Sequence, residues 1–320
     1  MTNGSRPDQL DAGPIVMAER ARATHGKPSF AVRAEGLFFR VLTRLLPRNR
    51  SGDYVTSLLW FLYIQHRWPR PRRRWFNDQL FAIKTSQEIL DPLRVFTSDK
   101  EFVKLYVKAR LGDAHNIPTL AVLHSAEQCR RFEFPARCVI KPTHLSGTVL
   151  LRRRGEPIDF AQIDEWFDTN LYLGSREANY RPLRPKVIVE PFVFDDDNPS
   201  DFKFFCVDGR PGLIQVDRDR HVKHTRNFYD AEWRRLPVAM THPPGETDDP
   251  RPPNLALMLD LAARISRDFS FVRVDFYSNG TEALLGEITH CHGGAREFFV
   301  PRSAEATVSQ LLFGPPQDRR

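Results

Sequence analysis

Cysteine is scarce: Cys129, Cys138, Cys206 and Cys291 are the only four in 320 residues, and no two are spaced as CxxC. That excludes a disulfide-dense secreted scaffold and a paired-cysteine zinc site, and it suits reduced thiols. No apolar run reaches the roughly 18 residues that a membrane span needs. The nearest candidate, Ser57 to Ile64, is far too short. Met1 to Pro28 is mixed polar and charged, without the apolar core of a secretory signal. A cytoplasmic location is therefore expected. Acidic residues are outnumbered, 40 against 47 Lys and Arg, for a net charge of +7. Such an excess permits a polyanionic partner. Helix-turn-helix, zinc-finger and RNA-recognition motifs are missing, however, so no nucleic acid is expected. GxGxxG, Walker A, HExxH and GxSxG motifs are missing too. Their absence argues against dinucleotide-binding, P-loop, zinc-peptidase and serine-hydrolase machinery.

What is present begins with helices. Residues 1–30 are small and polar and read as a flexible arm. Ala34 to Leu46 reads as an amphipathic helix with Leu37, Phe38, Val41, Leu42, Leu45 and Leu46 on one face and Arg40 and Arg44 opposite. It is expected to pack on the protein's own core, with peripheral contact to an anionic membrane as the alternative. Trp68 to Arg74 is a basic, proline-broken loop. Trp75 to Ile89 and Ser98 to Leu111 read as helices, the second capped by Ser98 or Asp99 and stopped by Gly112.

Strands follow. Short apolar runs occupy Thr119 to Leu123, Cys138 to Lys141, Val187 to Glu190, Phe202 to Val207 and Gly212 to Val216, the last two joined by the turn signal Asp208-Gly209. Asn254 to Phe269 reads as a helix with Leu255, Met258, Leu259, Ala262 and Ile265 apolar. Phe271 to Tyr277 and Ala283 to Ile288 read as strands around Ser278-Asn279-Gly280. Helices first and hairpins afterwards predict an α+β fold rather than a doubly wound parallel sheet.

The last hairpin carries the strongest chemistry. Arg273, Asp275 and Tyr277 alternate with Val274 and Phe276, so period two puts Arg273 and Asp275 on one face. If the strands pair, Glu287 converges with Asp275, and two carboxylates suit magnesium. Arg273 beside them can neutralise phosphate. A surface ion pair is the plainer alternative. Lys141 ends an apolar strand, where a buried ammonium is costly unless it meets an anion. The loop after it, with Ser146 and Gly147, can offer backbone N–H groups to phosphate. Glu190 likewise ends an apolar strand and leads through Pro191 and Phe192 to Asp195, Asp196 and Asp197. Such a hinge suits an adenine base, and one carboxylate of the three suits ribose hydroxyls. Lys203 is a further strand lysine fit for phosphate.

In order, Asp99-Lys100, VIKP with Lys141, VIVEPF with Glu190, DFKFFCVDG with Lys203, FVRVDFY with Asp275 and GEIT with Glu287 resemble the ATP-grasp superfamily, most closely its TupA-like branch. Phe76 to Leu80, the segment around Lys84, and Asp230 and Trp233 fit that branch as well. The resemblance covers roughly residues 54 to 305. It implies ATP and magnesium held between two β-rich subdomains, after a helical N-terminal region. Lys100, Lys141, Ser146, Gly147 and Lys203 would line the phosphates. Glu190, Phe192 and Asp197 would line the nucleoside. Asp275, Glu287 and Thr289 would hold the metal, and Arg273 and Arg220 would stabilise the transferring group. The implied chemistry joins a carboxylate to an amine through an acylphosphate, in modifying cell-surface polysaccharide or peptide. The boundaries expected are arm 1–30, helical region 31–117, small subdomain 118–188, nucleotide and metal subdomain 189–310 and tail 311–320.

Two residues depart from the wider pattern. Thr289 stands where many ATP-grasp enzymes carry Asn, and Leu145 stands where a phosphate loop would carry glycine. His290, Cys291 and His292 alternate at a strand end but lack the remaining ligands of a zinc site, and they are expected to border the acceptor pocket. Three rivals remain: a glycosyltransferase using Asp217-Arg218-Asp219 as a DxD motif, an ATP-grasp phosphotransferase acting on a hydroxyl, and a non-enzymatic protein binding a polyanion through its basic N-terminus.

Overall fold

A computed structural model of the protein describes residues 43, 45–197, 199–218 and 224–315. The arm, most of the helix expected at 34–46, Asp219 and Arg220 lie outside them.

Helices come first: α1 (Arg50–Gln65), α2 (Phe76–Thr85), α3 (Pro92–Ser98) and α4 (Phe102–Leu111). Asn49 caps α1 by accepting from Gly52 N at 2.9 Å. Two expected helices are shorter than their periodicity implied. The first stops at Thr85, where Ser86 turns extended. The second begins at Phe102, because Asp99 Oδ1 takes the N–H groups of Glu101 and Phe102. Ser98 instead ends α3. Gly112, at φ 88°, stops α4 as expected.

The small sheet follows, with β1 (Ala121–Leu123), β2 (Cys138–Pro142), β3 (Leu150–Arg152) and β4 (Val187–Glu190) in the order β1-β4-β2-β3, each pair antiparallel. Helices α5 (Ala126–Arg131), α6 (Phe160–Asp168) and α7 (Leu171–Ser175) punctuate it. Cys138, Ile140, Val187 and Val189 bury one face against Cys129, Ile163 and Trp166 of α5 and α6.

The large sheet contains β5 (Ser200–Val207), β6 (Arg210–Arg218), β7 (Thr225–Tyr229), β9 (Phe271–Ser278) and β10 (Ala283–Thr289), ordered β10-β9-β5-β6-β7. Asp208 and Gly209, at φ 48° and 76°, make the tight turn expected between β5 and β6. A small bridge pairs β8 (Ala239–Met240) with β11 (Phe299–Val300). Helix α8 (Leu255–Ser266) precedes β9, and α9 (Ala304–Phe313) closes the described chain.

Strand alternation gives the large sheet two unlike faces. Phe202, Phe204, Val272, Val274, Phe276 and Leu285 pack under α4 and α8. On the other face, Phe205, Leu213, Phe228 and Phe271 pack under α1, α2 and α9. That second face turns polar over its remaining half, where it carries Lys203, Gln215, Asp217, Arg226, Arg273, Asp275, Glu287 and Thr289. The apolar half anchors the sheet and leaves the polar half for chemistry. Two sequence boundaries fall inside elements: 188/189 cuts β4, and 310/311 cuts α9, whose Leu312 and Phe313 belong to the core.

Candidate functional site

The polar half-face is assembled by register. Lys203 lies opposite Asp275 on β9 and Gln215 on β6. Asp275 in turn lies opposite Glu287 on β10, and Arg273 opposite Thr289. Directly opposed residues bring their Cβ atoms to about 5 Å. The convergence expected of Asp275 and Glu287 is therefore built into the ladder.

It depends on an irregularity. Leu285 pairs with Phe276, yet Glu287 pairs with Asp275, so Gly286 is one residue in excess. In unbroken register Glu287 would oppose Val274 and point into the apolar core. The bulge turns it to the polar face. A side chain at position 286 would meet Tyr277 Cε2 at 2.8 Å, which explains glycine there.

Arg273 grips Asp275 with both arms of its guanidinium, Nε to Oδ1 and Nη2 to Oδ2, each at 2.7 Å. Its Nη1 approaches His292 Nδ1 at 2.6 Å, so His292 accepts there. Lys203 Nζ contacts Asp201 and lies 3.7 Å from Asp275 and 3.8 Å from Asp217. Burial pushes the Asp275 carboxyl above its usual range, against Arg273 and Lys203. At Glu287, burial acts in the same sense, but Lys100, Arg273, Lys203 and the Thr289 hydroxyl together hold the carboxyl low. Thr289 Oγ1 donates to Glu287 Oε1 at 3.3 Å, so it orients that carboxylate.

The small sheet brings the other lysines to the same place. Lys141 on β2 pairs with Glu190 on β4 at 2.9 Å. Burial disfavours its charge, but Glu190, Tyr277 and Glu287 raise its pKa overall. Lys100, on the turn before α4, donates to Leu145 O of the β2–β3 loop. Burial lowers its pKa, with Glu287 the largest charge opposing that shift. Lys100, Lys141 and Lys203 thus come from three separate elements and share the field of Glu287. The β2–β3 loop is pinned at its base, where Thr143 Oγ1 donates to Asp99 Oδ2 at 3.1 Å and His144 meets Trp166 O at 2.9 Å. Its tip, Ser146 and Gly147, is exposed, with Gly147 at φ 79° and nothing within 4 Å of where its side chain would be.

Glu190 differs from expectation. Its carboxylate lies between Lys141 and Lys104, the latter at 2.5 Å, rather than open to a ligand. Burial opposes its charge, and the two lysines outweigh burial and lower its pKa. Lys104, in the first turn of α4, was not among the lysines expected at the site. Phe192 lies beneath the Arg137 guanidinium at 4.3 Å, and its carbonyl accepts from Asp195 N at 3.3 Å. Asp197 pairs with Arg137 at 2.8 Å, while Asp195 uses the same arginine at 2.9 Å.

Asp217 is already matched. It meets Arg226 Nε at 2.7 Å, while Arg218 pairs with Asp249 at 2.8 Å. Burial opposes the charge of Asp217, yet Arg226, His224 and Lys203 hold its carboxyl well below the usual range. That arrangement gives a metal-binding DxD no support. Asp230 accepts from the N–H groups of Glu232 and Arg234, and Trp233 stacks on Tyr229 at 4.3 Å, so both shape a turn. His290 bonds Thr97 Oγ1 at 2.8 Å and approaches Arg94 at 3.3 Å. Cys291 is buried, and its thiol is pushed up to about 12 by burial. Among the described residues, no group of three or more His, Cys, Asp or Glu could hold a metal. The carboxylate pair alone fits magnesium, which asks the protein for only one or two carboxylates. No helix of the described residues is long and apolar enough to cross a membrane.

A model of the TupA-like ATPgrasp family matches residues 81–312. Among solved structures, a D-alanine–D-alanine ligase from Bacillus anthracis aligns at TM-score 0.40 and 14% identity, over 68% of this chain and 64% of that one. A phosphoribosylamine–glycine ligase from Thermotoga maritima aligns at 0.39 and 13%, over 64% and 53%. The D-cycloserine synthetase DcsG aligns at 0.36 and 17%, over 73% and 78%. The chain thus spans less than two thirds of the first of these. A search of curated proteins finds no match.

Proposed function

The chain belongs to the TupA-like ATP-grasp family, and on that footing we propose that it is an ATP-dependent ligase joining a carboxylate to an amine. The observation that carries the reading is the convergence of Lys100, Lys141 and Lys203 on the Asp275–Glu287 pair. Three cations beside two carboxylates suit a polyphosphate and its metal, and they have no task in a sugar-binding groove.

The lysines would hold phosphate oxygens, with the exposed Ser146-Gly147 tip folding over them. Asp275 and Glu287 would hold magnesium, with Thr289 steadying Glu287. Bound there, magnesium would neutralise charge on the transferring phosphoryl group. Arg273, and Arg220 outside the described residues, would face the developing negative charge. Glu190 is assigned a different part from the one its sequence suggested: it fixes Lys104 and Lys141, and leaves the strand-end backbone near Phe192 for adenine and Asp197 for ribose.

In the reaction, a carboxylate oxygen of one substrate attacks the γ-phosphorus of ATP, giving an acylphosphate and ADP. The amine then attacks the acyl carbon, phosphate leaves with that oxygen, and the nitrogen loses a proton. The family resemblance favours a carboxylate on a uronic acid or acidic peptide, an amino acid or amino sugar as amine, and a role in cell-surface polymers. The test is ADP release over panels of both substrates with an ¹⁸O-labelled carboxylate. An amide product with ¹⁸O in the phosphate supports ligation. A phosphorylated hydroxyl, with no amide, replaces it with phosphotransfer.

A further inference from the structure

Beside the Asp275–Glu287 pair lies a second set of charged groups that no step above employs. Lys84 on α2 is 3% exposed, and Glu177, after α7, is 8% exposed. Arg296 follows the turn of Gly293 and Gly294. Arg296 is half-buried. Lysine and glutamate are seldom buried unless they pair with an opposite charge, and no direct ion pair joins these three. Lys84 Nζ donates to Gly294 O at 3.0 Å. Arg296 lies over the Trp60 ring at 4.8 Å and reaches Ser175 O at 3.5 Å, and its Nε is buried with no partner among the described residues. The Glu177 carboxylate feels Lys84, Arg296 and Glu287 only through their charges, with no hydrogen-bond donor upon it.

Two of the groups meet beside Gly294. Gly294 adopts φ 60°, and a methyl group placed on it would stand 3.5 Å from Lys84 Nζ and 3.6 Å from Glu177 Oε1. The set adjoins the reacting end, because the turn that carries Gly294 begins at His292, whose Nδ1 lies 2.6 Å from Arg273 Nη1.

We infer that Lys84, Glu177 and Arg296 form the recognition site for the second, non-nucleotide substrate, and that this substrate presents an ammonium and a carboxylate together, as an α-amino acid does. The assignment rests on the ligase reading above. Two cations and one anion, each without a direct ion pair, are complementary to a zwitterion: Lys84 and Arg296 take its carboxylate, and Glu177 takes its ammonium. Buried charge that lacks a partner destabilises the protein, and the ligand removes that cost on binding. The perturbed ionisation agrees with an incomplete site. Burial lowers Lys84 to about 8 and raises Glu177 to about 6, each incompletely offset by the other's charge.

The test is thermal melting of the full chain with millimolar L-α-amino acids and D-alanine, each with and without MgATP. Carboxamide and N-acetyl analogues serve as controls. At least one free amino acid is expected to raise the melting temperature while its two analogues do not. Lys84→Met and Glu177→Gln are expected to weaken that binding about thirtyfold or more, as loss of a buried charge partner does. Both should keep the shift that MgATP alone produces, and Glu177→Gln, being isosteric, guards against a folding defect. No shift with any amino acid, an equal shift with the amide, or a shift surviving both substitutions overturns the assignment. A wild type that binds an amino acid but not MgATP would overturn the nucleotide reading and leave the amino-acid site standing.

Discussion

Asp275 stands directly opposite Glu287 across the β9–β10 ladder, and it does so only because Gly286 adds one residue to β10. The extra residue decides whether Glu287 faces the polar half of the sheet or the apolar core under α8. A single backbone irregularity is thus the structural condition for the proposed magnesium site.

Gly286→Ala should disturb that condition. Its methyl would meet the Tyr277 ring at 2.8 and 3.3 Å, too close without a shift of ring or strand. Overpacking of this kind costs about 1–3 kcal/mol. Urea unfolding should show the loss, and calorimetric titration should show weaker MgATP binding. Unchanged binding with unchanged stability would mean that the bulge does not control Glu287.

Glu190→Gln should destabilise more than Lys141→Met. The first leaves Lys104 and Lys141 buried without their shared counter-charge, a change that costs about 3 kcal/mol. The second leaves Glu190 paired with Lys104. Equilibrium unfolding at neutral pH ranks the two, and the reverse order would contradict the role given to Glu190.

Acid should act through Glu297. Burial opposes its charge, but His292, Arg226 and the Thr241 hydroxyl hold it down to about 2, from an ordinary value of 4.5. A carboxyl depressed on folding contributes stability that is complete above its unfolded value and is lost as pH falls through the folded one. Wild type should therefore lose stability between about pH 4.5 and 2, and Glu297→Gln should flatten that part of the curve. Parallel curves would refute the assignment.

Arg273→Lys keeps the charge but not the fork that holds both oxygens of Asp275 while touching His292. Turnover should fall about a hundredfold, as on removal of a transition-state donor. The Michaelis constant for ATP should change far less. A change confined to that constant would make Arg273 a ground-state binding residue.

Much of this site could be read from residue order. Period two placed Arg273 with Asp275, Ser278-Asn279-Gly280 marked the hairpin, a lysine ending an apolar strand made Lys141 unusual, and Lys203 stood out as a second strand lysine. The bulge was not legible, because an extra residue leaves no trace in hydrophobic alternation beyond one glycine. Lys104 was hidden for another reason: a helical lysine is ordinarily solvated, and only the fold brings it to Glu190. Glu190 itself read as a nucleoside contact because it ends an apolar strand just before Pro191 and Phe192, whereas the lysines that claim it come from β2 and α4. Strands β3 and β7 were too short and too polar to stand out before their partners were known. Lys84, Glu177 and Arg296 come from three distant segments, and nothing in their spacing announces that they meet.

The central claim is that this polar half-face binds ATP with magnesium through Glu287. Calorimetric titration of ATP into wild type and Glu287→Gln, each with and without magnesium, tests it most directly. The account predicts magnesium-dependent binding to wild type that weakens at least tenfold in the variant, a loss of about 1.4 kcal/mol or more. Equal binding by the two proteins, or heat from a nucleotide sugar with none from ATP, would contradict it.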